Sequence, residues 1–391
     1  MNRFCSIFNQ LLQLFPRDEF QRTVREHRAE RHARGFTCWG QFVAMLFCHL
    51  GKAHSLREIC GGLASCEGKL AHLGIHRVPN RSTLSYANEH RPWELYETIF
   101  YQLLERCRQI SGKGKRFRFK NKLVSMDATI IELCASLFDW AQFVCTKGAV
   151  KLHLLLDHDG YLPSFAVITD RWTAEIEVAR RMQFQPGSIV VFDRGYTDFA
   201  WFDRLTDAGV FFVTRTKKDW NYEVQERRPV RRELGEISHE VVRLGRGRRR
   251  GRHQGGRHLF RRIVLRVERL DEPLELLTNQ MDFAPRTIGA IYKERWQIEL
   301  FFKAIKQNLR IKTFVGTSAN ALKIQIWTAL IAMLILRFLQ LKSRWKWSLS
   351  NLVALLRMNL FVHRDLWQWV DNPFLVPPPL PDPIQTEFTF G

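Results

Sequence analysis

From the first residues to about 108, apolar side chains recur every three and four positions, as in GQFVAMLFCHLGKAHSLREICGGL (40–63) and WELYETIFYQLLERC (93–107). That period predicts helices. The opening MNRFCSIFNQLLQLF, interrupted by Asn9, Gln10 and Gln13, reads as an amphipathic helix and not as a signal peptide. Between the two helical stretches, Pro79 and Asn80 break the chain, and Ser82 is expected to cap a helix carrying Thr83, Ser85, Tyr86 and Asn88. A helix, a break and a helix of short polar side chains suits a helix-turn-helix reader of DNA, and equally an ordinary bundle.

After the basic stretch SGKGKRFRFKNK (111–122) the period changes to two. LVSMDATII (123–131) predicts a strand, VKLHLLLDHDGYLPSFAVIT (150–169) two strands turning at Asp159-Gly160, and TAEIEVARRM (173–182) a helix capped by Thr173. SIVVFD (188–193), YTDFAWFDRLTDAG (196–209) and VFFVTR (210–215) continue as strand, helix and strand. The fold class is therefore α/β, a mixed sheet covered on both faces. From 217 to 285 that rhythm stops. Strand-like pieces (WNYEVQ, HEVVRL, RRIVLRVERL, LELLTNQ) surround a Gly- and Arg-rich run, LGRGRRRGRHQGGRH (244–258), which predicts a β-rich basic insertion. The last hundred residues return to helical spacing and end in a Pro-rich tail, VPPPLPDPIQTEF.

Charge sharpens this picture. Sixty Lys and Arg against 39 Asp and Glu give +21, while 29 Phe and 12 Trp exclude a disordered polyelectrolyte. So much self-repulsion argues for a polyanionic partner, a nucleic acid. The eight cysteines form no CxxC pair and several sit in apolar runs, which reads as core filler in a reducing, cytoplasmic compartment. The longest apolar run, Ile326 to Leu336, is short of the roughly 20 residues a bilayer needs, so no membrane partner is expected.

Three acids stand at edges of the α/β core. Asp127 lies in LVSMDATII, Asp193 ends SIVVFD before Arg194-Gly195-Tyr196, and Glu299 lies on IGAIYKERWQIELFFKAIKQNL. Taken alone, Asp193 serves equally well as an N-cap and Asp127 as a strand-end ion-pair partner. The helix is more informative. At about 100° per residue, Tyr292, Arg295, Glu299 and Lys306 fall within an arc of about 60°. A plain ladder of i, i+4 ion pairs would not explain the phenol or the distant Lys306, whereas a face binding both metal and phosphates explains all four. In-line hydrolysis of a phosphodiester is served by two Mg²⁺ ions held by carboxylates, and no zinc-spaced His/Cys cluster, GxSxG or Walker A loop competes.

At this point the chain resembles the DDE transposases of bacterial insertion sequences, specifically the insertion-sequence-four family with its YREK signature. The residues carrying the resemblance are Asp127 in SMDATI, Asp193 in VVFDRGY, and Tyr292, Arg295, Glu299 and Lys306 in YKERWQIELFFKAIK. The resemblance implies an RNase H-like core, two Mg²⁺ ions (Mn²⁺ substituting) on Asp127, Asp193 and Glu299, and cut-and-paste transposition. It implies that Tyr292, Arg295 and Lys306, with Arg194 of the DRGY motif, bind DNA phosphates. Trp220, at the leading edge of the insertion, takes the place of a base-stacking Trp. The partners implied are double-stranded DNA, as terminal inverted repeats and target, and a second copy in a homodimer joined through helices within 317–360. The organisation expected is a helical DNA-binding domain (1–110), a core in two parts (111–216 and 286–316) split by the insertion (217–285), C-terminal helices (317–375) and the tail (376–391). Two other readings share the acids: a catalytically inactive DNA-binding regulator, and an RNase H-like nuclease without strand transfer.

Overall fold

The computed structural model describes residues 5–31, 33, 35–66, 68, 70–111, 117–132, 149–217, 220–245, 256–267, 271–308 and 314–375. Six helices open the chain: α1 (Ile7–Leu12), α2 (Arg17–Glu26), α3 (Cys38–Leu50), α4 (Leu56–Ala64), α5 (Arg81–His90) and α6 (Glu94–Ser111). Side-chain caps fix several starts, Thr37 accepting from the Gly40 amide and Ser55 from that of Glu58. The cap of α5 is Asn80, not Ser82 as expected: Asn80 has extended backbone and its side-chain oxygen accepts the Thr83 amide, while Ser82 already lies inside the first turn.

Strands β1 (Leu123–Glu132), β2 (Ala149–Asp157) and β3 (Leu162–Asp170) form an antiparallel meander whose second hairpin turns through Gly160 at a φ of 85°. There follow α7 (Glu175–Ala179), β4 (Ile189–Val191), α8 (Phe199–Asp207) and β5 (Phe211–Arg215). Helix α7 starts two residues later than the sequence suggests: Thr173 does not cap it but donates its hydroxyl to Asp170, whose carboxylate also accepts the Trp172 and Thr173 amides. β4 and β5 run parallel to β1, which gives the RNase H-like mixed sheet that the resemblance implies.

The insertion strands β6 (Tyr222–Arg227), β7 (Glu236–Leu244), β8 (Leu259–Leu265) and β9 (Leu274–Thr278) build onto the same sheet. β9 pairs antiparallel with β5, and the nine strands run in the order β3-β2-β1-β4-β5-β9-β8-β7-β6. Alternation covers both faces. Val190, Phe192, Phe202 and Phe212 pack on one, Ile189, Val191, Val213, Ile288 and Ile291 on the other.

Five helices close the chain: α9 (Pro285–Glu294), α10 (Trp296–Asn308), α11 (Ala319–Lys342), α12 (Leu349–Asn359) and α13 (Leu366–Asp371). By length and composition the 24-residue α11 passes for a membrane span, yet most of it is buried within the protein. It shares one core with α3, α6 and the outer face of β2. Among the described cysteines all are unpaired, and burial pushes the Cys38, Cys48 and Cys107 thiols up to about 12, as inert core filler requires. Cys134, Cys145, the centre of the Arg-rich run and the Pro-rich tail lie outside the described residues.

Candidate active site

Parallel pairing of β1 with β4 matches Ser125 to Val191, so Asp193, just past the end of β4, stands beside Asp127, which lies midway along the longer β1. Asp193 thus sits beyond a strand's carboxyl end, where an α/β sheet presents functional groups. Asp193 also does what a cap does. Its Oδ1 accepts the Gly195 amide at 2.6 Å and starts the turn Arg194–Tyr196, while its carbonyl accepts the Thr214 hydroxyl at 3.2 Å. The helix that follows, α8, is capped by Asp198 and not by Asp193.

The expected single helix carrying Tyr292, Arg295, Glu299 and Lys306 is two. α9 ends at Glu294 and α10 begins at Trp296, with Arg295 at the joint, where the Arg295 amide bonds the Tyr292 carbonyl and the Ile298 amide the Arg295 carbonyl. These i→i+3 bonds interrupt the α-helical ladder for one residue without Gly or Pro, and Arg295 itself keeps right-handed helical dihedrals. From the joint, Arg295 lies 3.5 Å from Asp127 Oδ2 and pairs with Glu299 Oε1, and its guanidinium stands over the Tyr292 ring. One cation thus ties the strand acid to the helix acid. Burial works against the Arg295 charge, but Tyr292, Glu299 and Asp127 together raise its pKa.

Burial pushes the Asp127 carboxyl up to about 7, with Asp193 and Glu175 adding to the rise and the Ala128 amide and Arg295 opposing it. Burial likewise lifts the Tyr292 phenol, against Arg295. Arg194 is exposed beside Asp193, and Lys306 is half-buried on α10. Trp220 stands apart from the acids. Its half-buried ring meets Phe199 and Phe202 at 5.5 and 6.3 Å between centroids, edge-on in both cases.

Two groups absent from the sequence reasoning complete the site. Glu175, in the first turn of α7, lies so near that a Cβ added at Gly195 would sit 3.4 Å from its Oε2 and 2.8 Å from Asp193 Oδ1. Its partner Lys151, 3.6 Å away, also donates to the Thr173 carbonyl. Beside them the Tyr196 hydroxyl is buried without a hydrogen-bond partner, and burial, then Glu175, Asp127 and Asp193, drive its pKa up. Tyr196 lies inside the DRGY motif, so its position was signalled. Glu175 carried no such signal.

For a divalent cation the donor set fits in kind: Asp127, Asp193, Glu175 and Glu299 are hard oxygen ligands, and the buried Tyr196 hydroxyl beside Gly195 has no hydrogen-bond partner. Among the described residues, no three acids stand close enough as placed to hold one ion, since Arg295 takes up Glu299 and one edge of Asp127.

Residues 118–335 match the family model described as "Transposase DDE domain", and residues 5–76 match a domain of unknown function. A putative transposase of Sinorhizobium fredii is 30% identical over 79% of this chain and 85% of its own length. A probable transposase of an insertion sequence element from Geobacillus stearothermophilus is 27% identical over 69% of this chain and 70% of its own. Among solved structures, a piggyBac transposase synaptic complex with hairpin DNA aligns over 92% of this chain and 81% of its own at 10% identity, with a TM-score of 0.43.

Proposed function

The chain belongs to the family of transposases with a DDE domain, and from that premise we propose that it catalyses cut-and-paste transposition of an insertion sequence of the YREK type. It would cleave DNA at the element's terminal inverted repeats and join those ends to target DNA. The observation carrying this reading is Arg295, which touches both Asp127 and Glu299 while Asp193 stands beside Asp127.

In this reading Asp127, Asp193 and Glu299 would hold two Mg²⁺ ions, Mn²⁺ substituting, which would supply charge stabilisation for the attacking and leaving oxygens. The chain's own groups do the rest. Arg295 offers a planar fork suited to a phosphate, with Tyr292 stacked against it and Lys306 and Arg194 adding cationic contacts. A scissile phosphate drawn to Arg295 competes with Glu299 and Asp127 for the same N–H groups, so the acids become free when DNA arrives. The +21 charge supplies the wider attraction for the duplex. Two element ends require two copies, and exposed Trp345, Met358 and Phe374 in the C-terminal helical region offer apolar surface for pairing them.

The test is incubation of the full-length protein with DNA carrying the element's own ends, in Mg²⁺ or in EDTA, beside E299Q. Cleavage at the boundary that needs both Mg²⁺ and Glu299 is expected. Binding of ends without cleavage in any divalent metal would favour the inactive regulator, and cleavage without end joining the simple nuclease.

A further inference from the structure

The acids that the resemblance names do not exhaust the cluster. Four carboxylates (Asp127, Asp193, Glu175, Glu299) face two cations, Arg295 and Lys151. Away from Arg295, the Asp193 and Glu175 carboxylates both border the hydrogen-sized space at Gly195. A cluster of acids alone would mean little. The independent observation is Tyr196, next to Gly195 in the chain and 1% exposed, whose buried hydroxyl finds no hydrogen-bond partner; burial first, then Glu175, Asp127 and Asp193, raise its pKa. A buried hydroxyl left unpaired costs roughly 1–3 kcal/mol. Its placement suits a donor to a metal-bound water or to a phosphate oxygen.

We propose that Glu175 is a fourth carboxylate of the catalytic centre, binding the divalent ion shared by Asp127 and Asp193 on the side away from Glu299, with Tyr196 lining that ion's shell. The inference rests on the metal-dependent reading above. Its position is built for precision: Asp170 anchors the segment leading to α7 through the Trp172 and Thr173 amides and the Thr173 hydroxyl, and Lys151 holds the Glu175 carboxylate from β2.

The experiment measures Mn²⁺ binding to the full-length, metal-stripped protein by the paramagnetic resonance of free Mn²⁺, with thermal melting as a check on folding. E175Q and D193N are each expected to weaken Mn²⁺ binding by about tenfold or more, with E175D recovering part of the loss. K151M, which removes the competing cation but no ligand, should hold or tighten it, and E177Q on the same helix should leave it unchanged. If Glu175 serves only to pair with Lys151, E175Q and K151M will lower the melting temperature alike and leave Mn²⁺ affinity as in the wild type, which overturns the inference. In that case D127N and D193N still lose Mn²⁺ and the transposase reading stands. If D127N and D193N also bind Mn²⁺ normally, the metal-dependent reading itself fails, and the role of Glu175 with it.

Discussion

Asp127 is the residue on which most of the site's electrostatics meet. Its folded pKa of about 7 lies above the ordinary 3.8, so the native state holds this proton more tightly than the unfolded chain. The stabilisation is therefore fully present below about pH 4 and lost as pH rises through 7. In EDTA, the wild type should lose stability relative to D127N between about pH 4 and pH 8, by up to about 4 kcal/mol for a rise of some three units. Chemical denaturation of both proteins across that range checks this; parallel curves would show that Asp127 titrates normally. Arg295 carries the opposite charge. R295M strands Asp127 and Glu299 together and should cost about 3 kcal/mol as well as weakening end binding, and R295K should not rescue binding because an ammonium cannot make the forked contact. Asp127, Asp193, Glu299 and Arg295 were legible because each interrupts a regular apolar pattern or shares a helix azimuth. Glu175 was not. It opens a short, ordinary-looking helix, and only the order of β1, β4 and their neighbours brings it to Asp193.

Among the elements, the joint between α9 and α10 sets where Arg295 and Glu299 point. No Gly or Pro marks it, which is why a single continuous helix was expected. The joint is held by Glu294, 2% exposed, which accepts from the Tyr161 hydroxyl at 3.2 Å and lies 3.7 Å from His158 Nδ1. His158 Nε2 in turn meets Ser125 Oγ at 2.7 Å, two residues before Asp127 on the same face of β1. E294A removes the carboxylate that accepts from Tyr161 and stands beside His158, and should cost about 1–3 kcal/mol. Because the joint then relaxes, end cleavage should fall by a larger factor than end binding. Equal losses in the two assays would mean that the network stabilises the fold without aiming the site. The hairpin at Asp159-Gly160 was legible for the opposite reason, since a left-handed glycine between two apolar runs leaves few other conformations. That the insertion strands would join the main sheet was hidden, because period-two alternation reveals a strand but not its neighbour.

At the scale of the molecule, the first helices and the C-terminal helices among the described residues are bound into one helical body. The Ile7 and Phe8 amides donate to the Val362 and Leu360 carbonyls, Asn320 donates to the carbonyls of Asn88 and Arg91, and His49 meets Thr328 at 3.0 Å. With Trp327 buried between Trp93, Phe100 and Tyr101, the N-terminal helices cannot bury their faces without α11. W327A should cost about 3–5 kcal/mol, and far-ultraviolet dichroism and tryptophan fluorescence should shift together in one transition. Separate transitions would show that residues 1–111 fold independently. The same body carries the +21 charge, so end binding should weaken about 10³-fold or more between roughly 50 and 200 mM salt if six or more phosphates are contacted. The central claim is that acids on this body use a divalent ion to break a phosphodiester. It is tested most directly by replacing one non-bridging oxygen of the scissile phosphate with sulfur, which Mg²⁺ ligates poorly and softer Mn²⁺ better. One sulfur diastereomer should be cleaved at least about 100-fold more slowly in Mg²⁺, with Mn²⁺ restoring much of the rate. Equal cleavage of both diastereomers in Mg²⁺, or cleavage in EDTA, would contradict it.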